Sequence, residues 1–403
     1  MGNQIINKKK YFTKHSIKTF QMSHKIKSAL KDELNIQVEM KTRFLQFVFH
    51  QNQFFRLFGN MGFKKELMSM YIVECMFLFL FFQSCITFDE IKYVNLEPIV
   101  AIEELNDSTF FRDIPFIKEY DGCVYAVDNT NGRILILDIN LNLQRTIGNR
   151  GLGPGEFNWM GDFAVYKDTL LAIDAGKLNT FTIDGEFIES YSFSNDQSLA
   201  YENFCINKEG DLLFTSTLDS FPVVKYDRKM NRLFGFGEWI EPYNKESRRF
   251  LNNYLIACLN DKIITVQKDA PVINIYETNG NHILKKRLPE HLFEKRLNFK
   301  RHEQERDASN LRKIYMLFYS IACVDNKIYI SYIDHNEDNN RPYLKKIVEL
   351  IYENDDITIE HVYSLSKEDR GWFASFYVTK QDKIIAVNSS MQTDPYISVY
   401  QLK

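Results

Sequence analysis

From residue 124 onward the chain repeats one pattern six times: a run of mostly apolar, β-prone residues, a short polar turn, and a second such run. The pairs are VYAVDNTNGRILILDI from Val124, LLAIDAGKLNTFTID from Leu170, LLFTSTLDSFPVVKYD from Leu212, IITVQKDAPVINIYE from Ile263, IYISYIDHN followed by PYLKKIVEL from Ile328, and IIAVNSSMQTDPYISVYQ from Ile384. Their starts lie 46, 42, 51, 65 and 56 residues apart. Runs of Val, Ile, Leu, Tyr and Phe bounded by Gly, Asn and Asp predict strands joined by tight turns.

Each unit reads as four strands. In the first unit they are Phe116–Tyr120, Val124–Val127, Ile134–Leu137 and Leu143–Ile147, with Asp121–Gly122 and Asn131–Gly132 at turns where Gly and Asn tolerate positive φ. The same punctuation precedes the second strand of later units at Lys167–Asp168, Glu209–Gly210, Asn260–Asp261, Asp325–Asn326 and Gln381–Asp382. Asp184–Gly185 and Asn279–Gly280 separate third strands from fourth. A period of roughly 40–50 residues holding several strands predicts a β-propeller. The expected fold is all-β: six four-stranded antiparallel blades over residues 91–403. The last unit stops after its third strand, Tyr396–Leu402, whereas Ile91–Glu97 precedes the first unit and has no blade of its own. That N-terminal strand is expected to complete the last blade and remove an open sheet edge.

Composition agrees with a packed all-β body. Of 403 residues, 45% are hydrophobic and 14% aromatic, which excludes global disorder. The net charge of −3 hides an asymmetry: residues 1–85 carry 13 Lys/Arg against 5 Asp/Glu, which leaves −11 on residues 86–403. An acidic body argues against a nucleic-acid partner. Six cysteines are present: Cys75, Cys85, Cys123, Cys205, Cys258 and Cys323. Three of them, Cys205, Cys258 and Cys323, occupy equivalent places on the first strands of separate units. No Cys/His spacing suits zinc, so no metal is expected and these cysteines are expected to be buried free thiols.

Residues 61–85, MGFKKELMSMYIVECMFLFLFFQSC, read as a targeting segment. Lys64 and Lys65 form a positive region, Cys75–Phe82 is an unbroken apolar run, and Ser84–Cys85 is a small residue followed by Cys. This order resembles a bacterial lipoprotein signal peptide, and the resemblance implies lipidation of Cys85. Phe82 and Glu74 depart from the usual pattern. The alternatives are an uncleaved anchor, for which Met70–Phe82 is short against the ~20 residues that span a bilayer, or a core segment. Residues 1–60 are expected to be an extension upstream of the true start. A basic arm for nucleic acid or an anionic membrane is the alternative.

The closest motif lies in the first unit and its exit. VYAVDNTNGRILILD is followed by IGNRGLGPGEFNWMGDFAV, which places Val127, Asp128, Asn131, Arg133 and Ile134 ahead of Gly148, Gly151, Gly153, Gly155 and Phe157. This resembles the NHL-repeat propellers, and with the signal segment it looks like the six-bladed propeller lipoproteins of Bacteroides-type bacteria. The other five units keep the strand rhythm and lose the signature. The glycines are expected to turn the chain tightly between blades, with Phe157 as an anchor. A phosphate loop is excluded by the missing Gly-Lys-Ser/Thr ending. Asp128 and Arg133 are expected to pair across their hairpin.

Two insertions stand out, residues 238–250 and 285–313. The second has ten Lys/Arg and five Asp/Glu in a partly helical pattern. It reads as a solvated helix on a loop, or as a docking surface for an anionic partner. None of the eight His falls on a predicted first strand, which disfavours a His-based metal site in the channel, and no hydrolase motif is present. The expected function is that of an envelope lipoprotein, anchored to the outer membrane on its periplasmic or surface face. Its ring binds a peptide, a glycan or another envelope protein and needs no cofactor. Trp159, Trp239 and Trp372 are the candidate ligand-contacting residues. The alternatives are a hydrolase or lyase with a carboxylate-based site in the channel, and a structural scaffold.

Overall fold

The computed structural model describes residues 91–104, 113–174, 176–192, 199–216, 219–239, 253–306, 316–335, 342–365, 372–390 and 393–402. The 1–60 extension, the 61–85 segment and Cys85 lie outside the described residues, as does most of the 238–250 insertion.

The chain enters through β1 (Lys92–Leu96) and β2 (Pro98–Ile102) and then builds six blades in order. Blade one holds β3 (Ile117–Tyr120), β4 (Cys123–Asp128), β5 (Arg133–Leu137) and β6 (Leu143–Ile147). A two-residue parallel pair, β7 (Asn149–Arg150) and β8 (Glu156–Phe157), lies in the connection to blade two. Blade two follows with β9 (Met160–Tyr166), β10 (Thr169–Asp174), β11 (Lys177–Thr182) and β12 (Phe187–Ser192). Blade three has β13 (Leu199–Ile206), β14 (Leu212–Ser216), β15 (Val223–Tyr226) and β16 (Arg232–Phe236). Blade four has β17 (Tyr254–Leu259), β18 (Lys262–Gln267), β19 (Val272–Glu277) and β20 (His282–Arg287), followed by a 3₁₀ turn and helix α1 (Glu294–Arg306). Blade five has β21 (Phe318–Val324), β22 (Lys327–His335), β23 (Pro342–Glu353) and β24 (Asp356–Leu365). Blade six has β25 (Trp372–Val378), β26 (Lys383–Ser390) and β27 (Thr393–Gln401).

An N-terminal strand does close the ring, but it is the second one. β2 pairs antiparallel with β27, Val100 opposite Val399 and Ile102 opposite Ile397, and so supplies blade six with its fourth strand. The segment expected in that place, Ile91–Glu97, instead forms β1. It adds to blade five as a fifth strand, parallel to β24, with Lys92 opposite His361 and Leu96 opposite Leu365. Both strands are short and only Glu97 separates the end of β1 from the start of β2 at Pro98, so sequence pattern alone did not separate them.

The core is divided into six clusters, one at each blade junction. Ile384 and Ala386 face blade five, whereas Ile385 and Val387, their neighbours on the same strand, face blade one. Strand alternation thus sends successive residues to opposite junctions. This is why the second and third strands read as continuous apolar runs. The turn dipeptides behave as expected: Asp121, Lys167, Asn260, Asp325 and Asp382 all have positive φ, between 50° and 55°.

First strands of successive blades lie side by side. Equivalent positions in adjacent blades are therefore spatial neighbours, which overturns the expectation of free thiols for two cysteines. Cys205 on β13 and Cys258 on β17 form a disulfide across junction three–four, with Cα atoms 5.8 Å apart. Cys123 and Cys323 are free, and burial pushes the Cys323 thiol up. The bridge closes a segment of 53 residues, which in the chain-entropy model is worth about 4 kcal/mol. Replacing both Cys205 and Cys258 by Ser is expected to lower unfolding stability by up to that amount. Reduction of the native protein should reproduce the loss, measured as a shift in the denaturant midpoint.

A second buried device sits between blades five and six. The fully buried Glu349 carboxylate accepts from Tyr329 Oη (3.0 Å) and Tyr363 Oη (2.6 Å) and faces His361 Nδ1 (2.6 Å) and Lys327 Nζ (2.8 Å). Burial pushes this carboxyl up, but the bonds from Lys327, Tyr363 and His361 outweigh it and hold it below its usual value of 4.5. A carboxyl depressed in the folded state contributes stability that is complete above about pH 4.5 and is lost as pH falls through the folded value. Glu349→Gln is expected to cost about 1–3 kcal/mol at neutral pH. It should also flatten the acid limb of the stability–pH profile.

Candidate functional site

The second-to-third hairpins and the inter-blade connections share one end of the ring, here called the connection face. Buried polar residues lie there at the ends of second strands: Asp128, Asp174, Ser216 and Gln267 end theirs, and Asn388 stands two residues before the end of β26. Each anchors local backbone or side chains. Asp128 accepts from Asn131 N (3.1 Å), Asn131 Nδ2 (2.7 Å) and Arg133 Nε (3.0 Å), so the expected Asp128–Arg133 pair is present and closes the hairpin.

The Gly-rich connection from blade one to blade two is built on this hairpin. Gly132 has φ +63°, and a Cβ there would lie 2.7 Å from both Arg150 Cα and Phe157 O. Arg150 Nη1 donates to Thr130 O at 2.8 Å, and Gly151 N donates to Phe157 O at 3.1 Å. Phe157, the expected anchor, is fully buried in the junction with its ring tilted against Phe181. Gly153 N donates to Glu156 Oε2 at 2.8 Å, while Gly155 takes φ +74° beside Phe187.

Beneath the loop sits Lys177, which sequence reasoning did not single out. Its ammonium donates to Glu156 O (3.1 Å) and Gly153 O (3.4 Å) and lies 3.7 Å from Asp174 Oδ2. The loop oxygens thus surround an internal cation supplied by the chain. Asp174 Oδ1 accepts from Asn158 N (2.9 Å) and Trp159 N (2.6 Å), and Asn129 and Met160 exchange bonds through Asn129 Oδ1 and Nδ2. Burial pushes the Asp174 carboxyl up, against the Trp159 and Asn158 amides and Lys177.

This scaffolding holds two apolar side chains out into solvent: Leu152 is 81% exposed and Trp159 is 62% exposed. Trp239 is half-buried in the connection from blade three to four, with its indole donating to Ser220 O at 3.0 Å. Trp372 opens β25 at the connection from blade five to six. The chain positions of all three tryptophans therefore lie at the connection end of the ring, at three alternate junctions.

In the channel wall, Lys118 on β3 reaches Asp162 Oδ1 on β9 at 2.8 Å and lies over the rings of Phe163 and Phe204. Burial raises the Asp162 carboxyl, against Lys118 and the amides of Phe163 and Phe204. Both of its oxygens are committed to these partners, so Asp162 ties blades one to three together. Among the described residues no group of three or more His, Cys, Asp or Glu converges in a way that holds a metal ion.

The 285–313 insertion departs from its expected solvated form. Residues 285–287 belong to β20, and α1 packs Leu297 and, through the preceding turn, Leu292 and Phe293 into the junction of blades four and five. Arg296 and Lys300 turn inward. Arg296 Nε donates to Met316 O (2.9 Å), and Lys300 Nζ donates to Asp269 O (2.8 Å) and Oδ2 (3.2 Å). His335 ends β22 and is buried against α1.

A family model described as "6-bladed beta-propeller", DUF5128, matches residues 82–339. The chain belongs to that family. Among solved structures, the propeller is similar to an exported protein of Bacteroides fragilis at 14% identity, covering 77% of this chain and 100% of that one with a TM-score of 0.49. It is similar to a member of the duf4221 family from Bacteroides vulgatus at 12% identity, covering 76% and 98% with a TM-score of 0.48. A third likeness is virginiamycin B lyase from Staphylococcus aureus, at 12% identity over 70% of this chain and 78% of that one with a TM-score of 0.39. No curated protein matches.

Two substitutions test how the propeller holds its loop. Gly132→Ala forces a Cβ into the backbone of the connection and is expected to cost about 1–3 kcal/mol. Lys177→Met removes the internal cation. It is expected to leave the ring folded while protease cleavage within 149–158 accelerates, read by mass spectrometry of limited digests.

Proposed function

We propose that this propeller is an exported envelope lipoprotein that acts by binding a peptide, a glycan or another envelope protein on its connection face. The observation that carries the binding reading is Trp159. A large aromatic ring held 62% exposed, with its own amide fixed by a buried carboxylate, loses little freedom when a ligand covers it. Leu152, on the same loop, extends the apolar surface. The Cys205–Cys258 bridge supports maturation in an oxidising compartment, and the residues 61–85 pattern supplies a route there. No described helix is long and apolar enough to cross a membrane.

Screening of the purified protein against envelope glycans and peptides tests the reading. Trp159→Ala is expected to weaken the captured ligand by about tenfold or more without a change in melting temperature. Equal binding by the variant overturns the placement of the site. Intact-mass analysis of protein from its native membrane should show a mature chain that begins at an acylated Cys85. An unacylated chain that retains residues 1–84 overturns the anchor.

A further inference from the structure

We propose that α1 is a pH-gated lid over the ends of blades four and five, latched by uncharged His335 and released when that imidazole takes a proton. His335 is 2% exposed. Its ring lies 4.5 Å from the Phe299 ring of α1, and its Nε2 is 3.5 Å from Arg296 Nη1 of the same helix. A guanidinium can only donate, so Nε2 accepts and the single ring proton sits on Nδ1. Nδ1 is buried and makes no hydrogen bond. A second proton would go onto Nε2, the atom that faces Arg296, and would set two cations against each other out of water.

Among the described residues, the other charged groups placed around the imidazole are engaged elsewhere. On the ring side, the Asp334 carboxylate binds Lys346 Nζ at 2.7 Å, Tyr343 Oη at 3.0 Å and the amide of His335 at 2.8 Å. At the end of β18, Asp269 holds Lys300 of α1 and the Gln267 amide, with the buried Lys268 beside it. On α1 itself, the other histidine, His302, is exposed. Burial and then Arg296 push the His335 imidazole below its usual value of 6.5, with Asp334 opposing. A histidine depressed in the closed state binds its proton more readily in the open one. The latch is therefore complete above about pH 6.5 and weakens as pH falls from there through the closed-state value. Each unit of that depression corresponds to about tenfold in the opening equilibrium. Opening uncovers Leu297 and the surface of Leu317 and Phe318, adding apolar area to the face on which Trp159 stands.

The test is amide hydrogen exchange of the full-length protein at about pH 5 and about pH 7.5, corrected for intrinsic exchange. Exchange across 294–306 is expected to quicken about tenfold on acidification while β18 and β19 stay unchanged. His335→Gln should abolish the acceleration and His302→Gln should keep it. A pH-independent α1 in the wild type, or acceleration that survives His335→Gln, overturns the lid. The NMR titration of the His335 ring in the wild type gives a second reading that needs no variant. A midpoint at or above the free-histidine value overturns the latch.

Discussion

Each blade is apolar on both faces, so it is stable only with a neighbour on each side. An open row of blades leaves two faces wet, and a ring leaves none. The six junction clusters show this directly, because the last of them joins blade six to blade one through Ile397 and Val399 against Ile117 and Leu135. Closure then depends on β2, which brings the start of the described chain to its end. Continuous chain links each blade to the next, from β2 to β3 at the junction of blades six and one, whereas blade six itself is sealed between β2 and β27 by hydrogen bonds and packing alone.

The burial that stabilises the ring also forces polar solutions at its ends. Second strands need a residue that stops the apolar run and holds the hairpin, and Asp128, Asp174, Ser216, Gln267 and Asn388 do so from buried positions. In blade one and blade two these groups also support the Gly-rich connection, so that Trp159 stands on carboxylate and ammonium groups hidden beneath it. Exposure at the surface and burial below it belong to one arrangement: the indole is available because its backbone is not.

Much of this was legible from sequence. Six repeats, the turn dipeptides and the strand limits of blade one follow from local rules, because hairpins are determined by residues a few positions apart. What escaped depended on neighbours across a junction. The Cys205–Cys258 bridge needs the knowledge that equivalent registers in adjacent blades touch. Lys177 reads as an ordinary strand residue until the loop is folded over it, and α1 has the composition of a solvated helix although Arg296 is only 8% exposed. The three tryptophans were visible as residues, but their spacing around the ring was not. Equivalence between repeats, read as proximity, was the signal available for the disulfide.

The order of β1 and β2 has a mechanical consequence. β1 lies parallel to β24 over five consecutive residue pairs, and only Glu97 separates it from the closing strand. Tension arriving from the residues before Ile91 meets β1 first and acts along its axis, so its hydrogen bonds to β24 share the load in shear. The seam between β2 and β27 feels force only after that row gives way. Blade five's extra strand thus places a row of parallel hydrogen bonds between the residues that precede Ile91 and the seam that closes the ring.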